Sequence, residues 1–284
     1  MKLTKDKIIL IIGLGLIGGS YAKKLSLEGY HVRAISRTKE DIDFAKRHGI
    51  IEEGSTLPTK EMFEGVDLVI FALYPLVFFD FIKNNHQFID DKTIITDVTG
   101  IKKEVISQVL PYIKHKENFI PSHPMAGREV YGLENAKENL FVGANFIITP
   151  TPFASNEAIE LVEDLGKVLE FKRISILSPE EHDEMIAFLS QLTHVLAVTL
   201  MTCKDSIHLK EYTGDSFRDL TRIAKINENM WSELFIINKQ SLLDEMNLFV
   251  KQFEKFKKAL ETEDVDTMKE MMRLSTYNRS FFDK

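Results

Sequence analysis

Two segments of the chain place residue types that suit redox chemistry on a small molecule. The first, Gly13-Leu14-Gly15-Leu16-Ile17-Gly18, follows an unbroken apolar run over residues 8–12 and opens an amphipathic stretch over residues 17–28. A strand, then Gly-x-Gly-x-x-Gly, then a helix is the setting in which this spacing binds a dinucleotide. Gly13 permits the tight turn, Gly15 lets the backbone approach a pyrophosphate, and Gly18 allows close helix packing. The helix N-terminus adds N–H groups and a partial positive charge. The second segment, Ser122-His123-Pro124-Met125-Ala126-Gly127-Arg128-Glu129, follows an apolar run over residues 119–121. That is the carboxyl end of the expected sheet, where doubly wound folds bind their ligands. Imidazole titrates near neutrality, so His123 can take the proton of an alcohol while hydride leaves the carbon. A lone loop histidine is more often structural, so the surroundings carry the case.

A second anchor for the cofactor is expected about 20 residues beyond the glycines, where NAD enzymes carry an acid for the ribose hydroxyls. Here the strand His31-Val32-Arg33-Ala34-Ile35 ends in Ser36-Arg37-Thr38-Lys39. With no carboxylate to repel it, a 2′-phosphate could pair bidentately with Arg37, which favours NADP over NAD. With Arg37 and Lys39 as solvated loop charges, NAD would bind through Ser36 alone.

These segments need a sheet to position them. Apolar runs over residues 8–12, 32–35, 68–73, 93–98 and 119–121 alternate with amphipathic stretches, the signature of an α/β domain with a parallel sheet buried on both faces. A further strand is expected around 170–176, and a domain boundary near Leu177. Beyond it Gly and Pro almost vanish, and the spacing predicts helices over 181–203, 217–226, 229–261 and 265–282. Ser178-Pro179-Glu180-Glu181 reads as a helix start, with an N-cap, Pro at N1 and acids in the first turn. The expected fold is thus α/β: a Rossmann-type doubly wound parallel sheet over residues 1–177, then an all-helical domain over 178–284. Met246, Leu248, Phe249, Phe253 and Phe256 form an apolar set suited either to a homodimer or to an intramolecular bundle; the homodimer is the expectation.

Composition narrows the partners. With 36 basic and 43 acidic side chains and a net charge of -7, the chain has no electrostatic footprint for nucleic acid or an anionic membrane, and a small molecule is expected. Runs such as residues 8–12 and 68–73 are far shorter than the roughly 20 residues that cross a bilayer. The single cysteine, Cys203, excludes an intramolecular disulfide, and no secretory signal opens the chain, which points to the cytoplasm. No His and Cys grouping has metal-ligand spacing, so no metal is expected.

Four separated motifs together resemble the prephenate dehydrogenase family over nearly the whole chain. They are the glycine loop with the octapeptide around His123; Thr96-Asp97-Val98-Thr99-Gly100-Ile101-Lys102; His182-Asp183 followed by Ser190-Gln191-Leu192-Thr193-His194; and Phe217-Arg218-Asp219-Leu220-Thr221-Arg222-Ile223-Ala224 with Trp231 beyond it. The resemblance implies hydride transfer from the ring of prephenate to NAD(P), loss of the ring carboxylate as carbon dioxide, and formation of 4-hydroxyphenylpyruvate in tyrosine biosynthesis. It assigns His123 as base on the ring hydroxyl, Arg222 to a substrate carboxylate and His194 to the substrate pocket; Asp219, three residues before Arg222 and so one helical turn away, is expected to orient its guanidinium. Arg128 is expected at the pyruvyl carboxylate on its charge alone. The sequence departs from the family where several relatives carry a serine that orients the histidine; Gly100 stands there, leaving Thr99 or Ser122 to supply a hydroxyl. Thr193 replaces a proline, which should straighten its helix. Arogenate dehydrogenase is the nearest alternative, and a catalytically silent NADP-binding sensor is another. The helical pattern runs to the last residue, so tyrosine inhibition would have to act at the active site.

Overall fold

The computed structural model describes residues 2–127, 130–204 and 208–282. Five parallel strands, β1 (Ile8–Ile12), β2 (His31–Ile35), β3 (Glu53–Ser55), β4 (Leu68–Phe71) and β5 (Ile94–Asp97), form a sheet of order β3-β2-β1-β4-β5. Its continuous apolar strands serve two cores. Ile9 and Ile11 pack on one face with Tyr21, Leu25 and Leu165, while Leu10 and Ile12 pack on the other with Phe71, Phe78 and Val105. The period of two along a strand sends alternate side chains to opposite faces, so a run with no polar member must be buried on both. Covering helices are α1 (Leu16–Leu27), α2 (Lys39–Arg47), α3 (Lys60–Phe63), α4 (Pro75–Asn85), α5 (Lys103–Val109) and α6 (Asn156–Val168).

The strand expected at 119–121 is reduced to one parallel bridge, Ile95 with Phe119, and a bond from Ile120 N to Ile95 O of 2.9 Å. Pro121 has no N–H to extend that ladder. The chain instead turns into β6 (Ser122–Met125), which pairs antiparallel with β7 (Asn145–Ile148); β7 pairs parallel with β8 (Arg173–Ile176). His123 therefore sits within a strand of a second, three-stranded sheet, not on a loop.

After β8 the described residues form helices: α7 (Pro179–Ile186), a π-helical segment Ala187–Leu192, α8 (Thr193–Thr202), α9 (Leu209–Tyr212), α10 (Asp215–Thr221), α11 (Glu228–Ile237), α12 (Lys239–Glu261) and α13 (Val265–Ser280). Ser178 and Glu181 close a reciprocal capping box that starts α7. The straight helix expected without proline is instead interrupted by the π segment, directly after which Thr193 Oγ1 donates back toward the carbonyls of Leu189 and Ser190. The helix expected over 229–261 breaks at Asn238, whose buried side chain is drawn sideways to donate to Asp183 O at 3.0 Å and Gln191 Oε1 at 2.9 Å. Within Pro179–Thr202 one 18-residue window reaches a mean hydropathy of 1.6, a length and composition that a packed core helix can share with a membrane span. The segment nonetheless carries buried His182, Asp183 and Gln191.

Candidate functional site

The three glycines of the nucleotide loop meet three different demands. Gly13 has φ +102°, and a Cβ there would lie 2.4 Å from Ala72 O. A Cβ on Gly18 would lie 1.9 Å from Gly13 O, so the first turn of α1 closes against the loop only because both positions lack side chains. Around Gly15, the N-cap of α1, a Cβ would meet nothing within 4 Å, and the first turn holds no acidic residue. This open, uncapped helix start is the cradle that a pyrophosphate needs, and the loop fits a dinucleotide.

At the end of β2, Ser36 is buried and Arg37 exposed. The spacing argument overlooked a carboxylate. Asp41 enters from the first turn of α2 and accepts from Ser36 Oγ at 3.2 Å and Thr38 Oγ1 at 2.6 Å, while Thr38 caps the helix by accepting from Asp41 N. The end of β2 is therefore not free of negative charge, although no residue of the strand supplies it.

At the carboxyl end of β5 the chain builds a buried polar block. Lys102, with no exposed surface, directs Nζ to Asp97 Oδ2 at 2.7 Å, Ser122 O at 2.6 Å and Thr99 Oγ1 at 3.2 Å. Burial pushes its ammonium below the ordinary lysine range, and the charge of Asp97 opposes that shift. Thr99 Oγ1 donates to Asp97 Oδ2 and approaches Ile101 O, and Ser122 Oγ lies between Thr96 Oγ1 and Asp97 O. Both hydroxyls are bonded inside the block, so neither Thr99 nor Ser122 supplies the hydroxyl expected at His123. For Ser122 the reason is strand alternation, which turns it away from the face that its neighbour occupies.

His123 is held from the helical half instead. Its Nδ1 lies 2.9 Å from His182 Nε2, and His182 Nδ1 lies 2.8 Å from Asp183 Oδ1. Asp183 also accepts from the backbone of Lys102 at 2.8 Å, through Oδ1, and of Lys103 at 2.9 Å, through Oδ2. Burial is the main cause holding His123 well below the ordinary imidazole value, reinforced by His182 and the Lys102 charge. Burial likewise lowers His182, against the pull of its bond to Asp183. The opposite edge of the His123 ring faces Gly100, where a Cβ would lie 3.8 Å from both Cε1 and Nε2 and 3.9 Å from Leu234 Cδ1.

Leu234 belongs to α11, and so does Trp231, one turn earlier, on which His194 stacks with ring centroids 3.7 Å apart. Trp231 thus packs against His194 on the helix that also carries Leu234. Arg222 begins a 3-10 turn after α10 that packs on α8, the helix of His194. Asp219 is exposed near the end of α10, on which Arg218 pairs with Asp215 at 2.5 Å. Arg128 lies outside the described residues. His182, Asp183 and Asn238 are the site residues that spacing did not single out for a role; the adjacent His-Asp pair at a capped helix start was the available signal.

Comparison with known proteins follows this geometry. The family profile described as prephenate dehydrogenase, nucleotide-binding domain, matches residues 21–191, and that described as prephenate dehydrogenase, dimerization domain, matches residues 178–274. The chain is 29% identical over 275 residues to a prephenate dehydrogenase of Bacillus subtilis, covering 94% of this chain and 74% of the relative. It is 31% identical over 258 residues to one of Lactococcus lactis, covering 87% and 70%. Among solved structures, it is similar to a prephenate dehydrogenase from A. aeolicus in complex with hydroxyphenyl propionate and NAD+, with TM-score 0.90, 26% identity and coverage of 99% and 100%.

Proposed function

Because the chain belongs to the prephenate dehydrogenase family, we propose that it converts prephenate to 4-hydroxyphenylpyruvate and carbon dioxide with NAD(P), a step of tyrosine biosynthesis. The observation that carries this reading is the placement of His123: one ring edge is anchored to His182, and the other faces Gly100 beneath α11. His123 Nε2 takes the proton of the ring hydroxyl as hydride leaves the carbon that bears it. The bond to the ring carboxylate then breaks and the ring becomes aromatic. A nicotinamide, when bound, would supply the hydride acceptor. The loop Gly13 to Gly18 would hold its pyrophosphate, and Ser36 and Arg37 its adenosine ribose.

Prephenate is a dianion, so a net acidic protein must supply local cations; Arg222 is assigned to a carboxylate, and its guanidinium fork suits that geometry. His194 lines the same pocket. Arg37 favours NADP, and the neighbouring Asp41 carboxylate lowers that preference by about fivefold, one repulsive charge near the surface being worth about 1 kcal/mol. We divide the chain at residues 177 and 178, and assign it to the cytoplasm as a homodimer formed through the helical half. Leu248, Val250 and Phe253 of α12 are exposed in the single chain, which supports that assembly.

The deciding experiment follows the near-ultraviolet absorbance of reduced nicotinamide on mixing the protein with prephenate or arogenate, each with NADP and with NAD. Turnover of prephenate, faster with NADP, is expected. Turnover of arogenate alone would make the chain an arogenate dehydrogenase, and silence with every pair would favour a nucleotide-binding sensor.

A further inference from the structure

The hydrogens on the His123, His182 and Asp183 chain can be assigned by following the acceptors. Asp183 Oδ1 already accepts from the Lys102 amide and Oδ2 from the Lys103 amide, so the carboxylate is oriented as an acceptor on both sides. His182 Nδ1, 2.8 Å from Oδ1, is therefore the nitrogen that carries hydrogen. His182 is wholly buried, and its enclosure favours the uncharged ring, whose Nε2 then presents a lone pair. That lone pair, 2.9 Å from His123 Nδ1, requires Nδ1 to be the donor. Hydrogen on Nδ1 leaves the lone pair of His123 on Nε2, the edge that faces Gly100.

We infer that His182 and Asp183 are positioning residues that select the Nδ1–H tautomer of His123, so that the catalytic lone pair is always on Nε2. The inference deepens the reading of His123 as base and rests on it. It also accounts for the tolerance of glycine at position 100. A serine hydroxyl there would adjoin the working edge of the ring, whereas the dyad grips the opposite edge and leaves the working edge to substrate. When Nε2 takes a proton, the new imidazolium donates from Nδ1 to His182, which Asp183 polarises. No covalent bond to the protein forms, and the proton returns from Nε2 to the ring oxygen once loss of carbon dioxide leaves a phenolate there. This is the logic by which a buried carboxylate fixes a histidine tautomer in hydrolase triads, with a second imidazole inserted between acid and base.

The test reads the tautomer itself. Long-range proton–nitrogen spectra of 15N-labelled protein at neutral pH should show one histidine hydrogenated on Nδ1 that is lost in His123→Asn. An Nε2–H ring at His123 in the unsubstituted protein would overturn the inference, whether or not the protein turns over prephenate. Activity supplies the second arm. His182→Leu should lower kcat by about 100-fold with KM changed by less than about twofold, and His182→Gln, whose Oε1 can still accept from Nδ1, should recover at least about tenfold. A folded His182→Leu enzyme with undiminished kcat would also overturn it. Should His182→Leu not fold, the spectrum of the unsubstituted protein decides alone. If the unsubstituted protein oxidises neither prephenate nor arogenate, the reading of the function fails while the spectrum still decides the tautomer.

Discussion

Along β1, Ile9, Leu10, Ile11 and Ile12 have at most 1% of their surface exposed, divided between two cores within the same chain. Along α12 the pattern inverts: Leu248, Phe249, Val250 and Phe253 are exposed, with Phe253 at 63%, and of that helix only Leu242 and Ala259 are buried. Both regions are rich in apolar residues, yet the first closes on itself and the second offers a face that a lone chain leaves wet. An exposed apolar surface of this extent marks a place of association. On the function proposed above, the sheet half holds the nucleotide, and the helical half meets substrate and a second copy.

Separating chemistry from binding tests this division most strongly. His123→Asn should lower kcat by roughly 1,000-fold, within the range for losing a general base, while the dissociation constant for the nucleotide, measured by fluorescence, changes little. Arg222→Gln should leave kcat nearly intact and raise KM by about 10- to 100-fold, as expected for a lost charged hydrogen bond. Equal losses of nucleotide affinity in both variants would erase the distinction between the halves.

A smaller effect, and one confined to the helical half, is expected from Phe249→Glu combined with Phe253→Glu. Two charges on the apolar face of α12 should convert a dimer into monomers by sedimentation, raising the dimer dissociation constant by at least about 100-fold through burial of unpaired charge. Nucleotide binding should persist. Monomers in the unsubstituted protein would mean that the exposed face serves something other than a second copy.

The smallest effect probes the seam between the halves. His123 and His182 both have folded values below the ordinary imidazole value, amid Asp183, Lys102 and Asp97. As pH falls below about 6.5 the unfolded chain takes up protons before the folded one does, so stability is present above that pH and is lost below it. The slope should approach 1.4 kcal/mol per pH unit for each histidine, about tenfold in the unfolding equilibrium. Urea unfolding near neutrality and in mild acid should show it, and His182→Gln should flatten it. An unchanged slope in that variant would remove His182 from the account.

Much of the sheet half was legible because a strand buried on both faces has only one way to look, a continuous apolar run bounded by turn residues. The glycine loop was legible for a similar reason, since three different close approaches demand three glycines. The failures share a cause of another kind. Asp41 reaches the end of β2 from the next helix, Asn238 breaks a periodic helix because Asp183 and Gln191 compete for its side chain, and His182 meets His123 across the seam. Each depends on a tertiary partner, and one-dimensional spacing does not record which partner is near. Thr99 and Ser122 fail the other way: they are close in sequence to the site, but their hydroxyls turn inward to Asp97 and its neighbours.

The two backbone amides that grip Asp183 make the helical half part of the wiring beneath the base. Whenever α7 lifts from the sheet half, the N–H groups of Lys102 and Lys103 lose their acceptor, and His123 loses the ring nitrogen that decides which of its own nitrogens carries hydrogen. Deuterium uptake at those two amides is thus a built-in gauge of whether His123, the proposed base, is held in register. Any circular permutation or domain graft of this chain would be judged by their protection before its catalysis is measured.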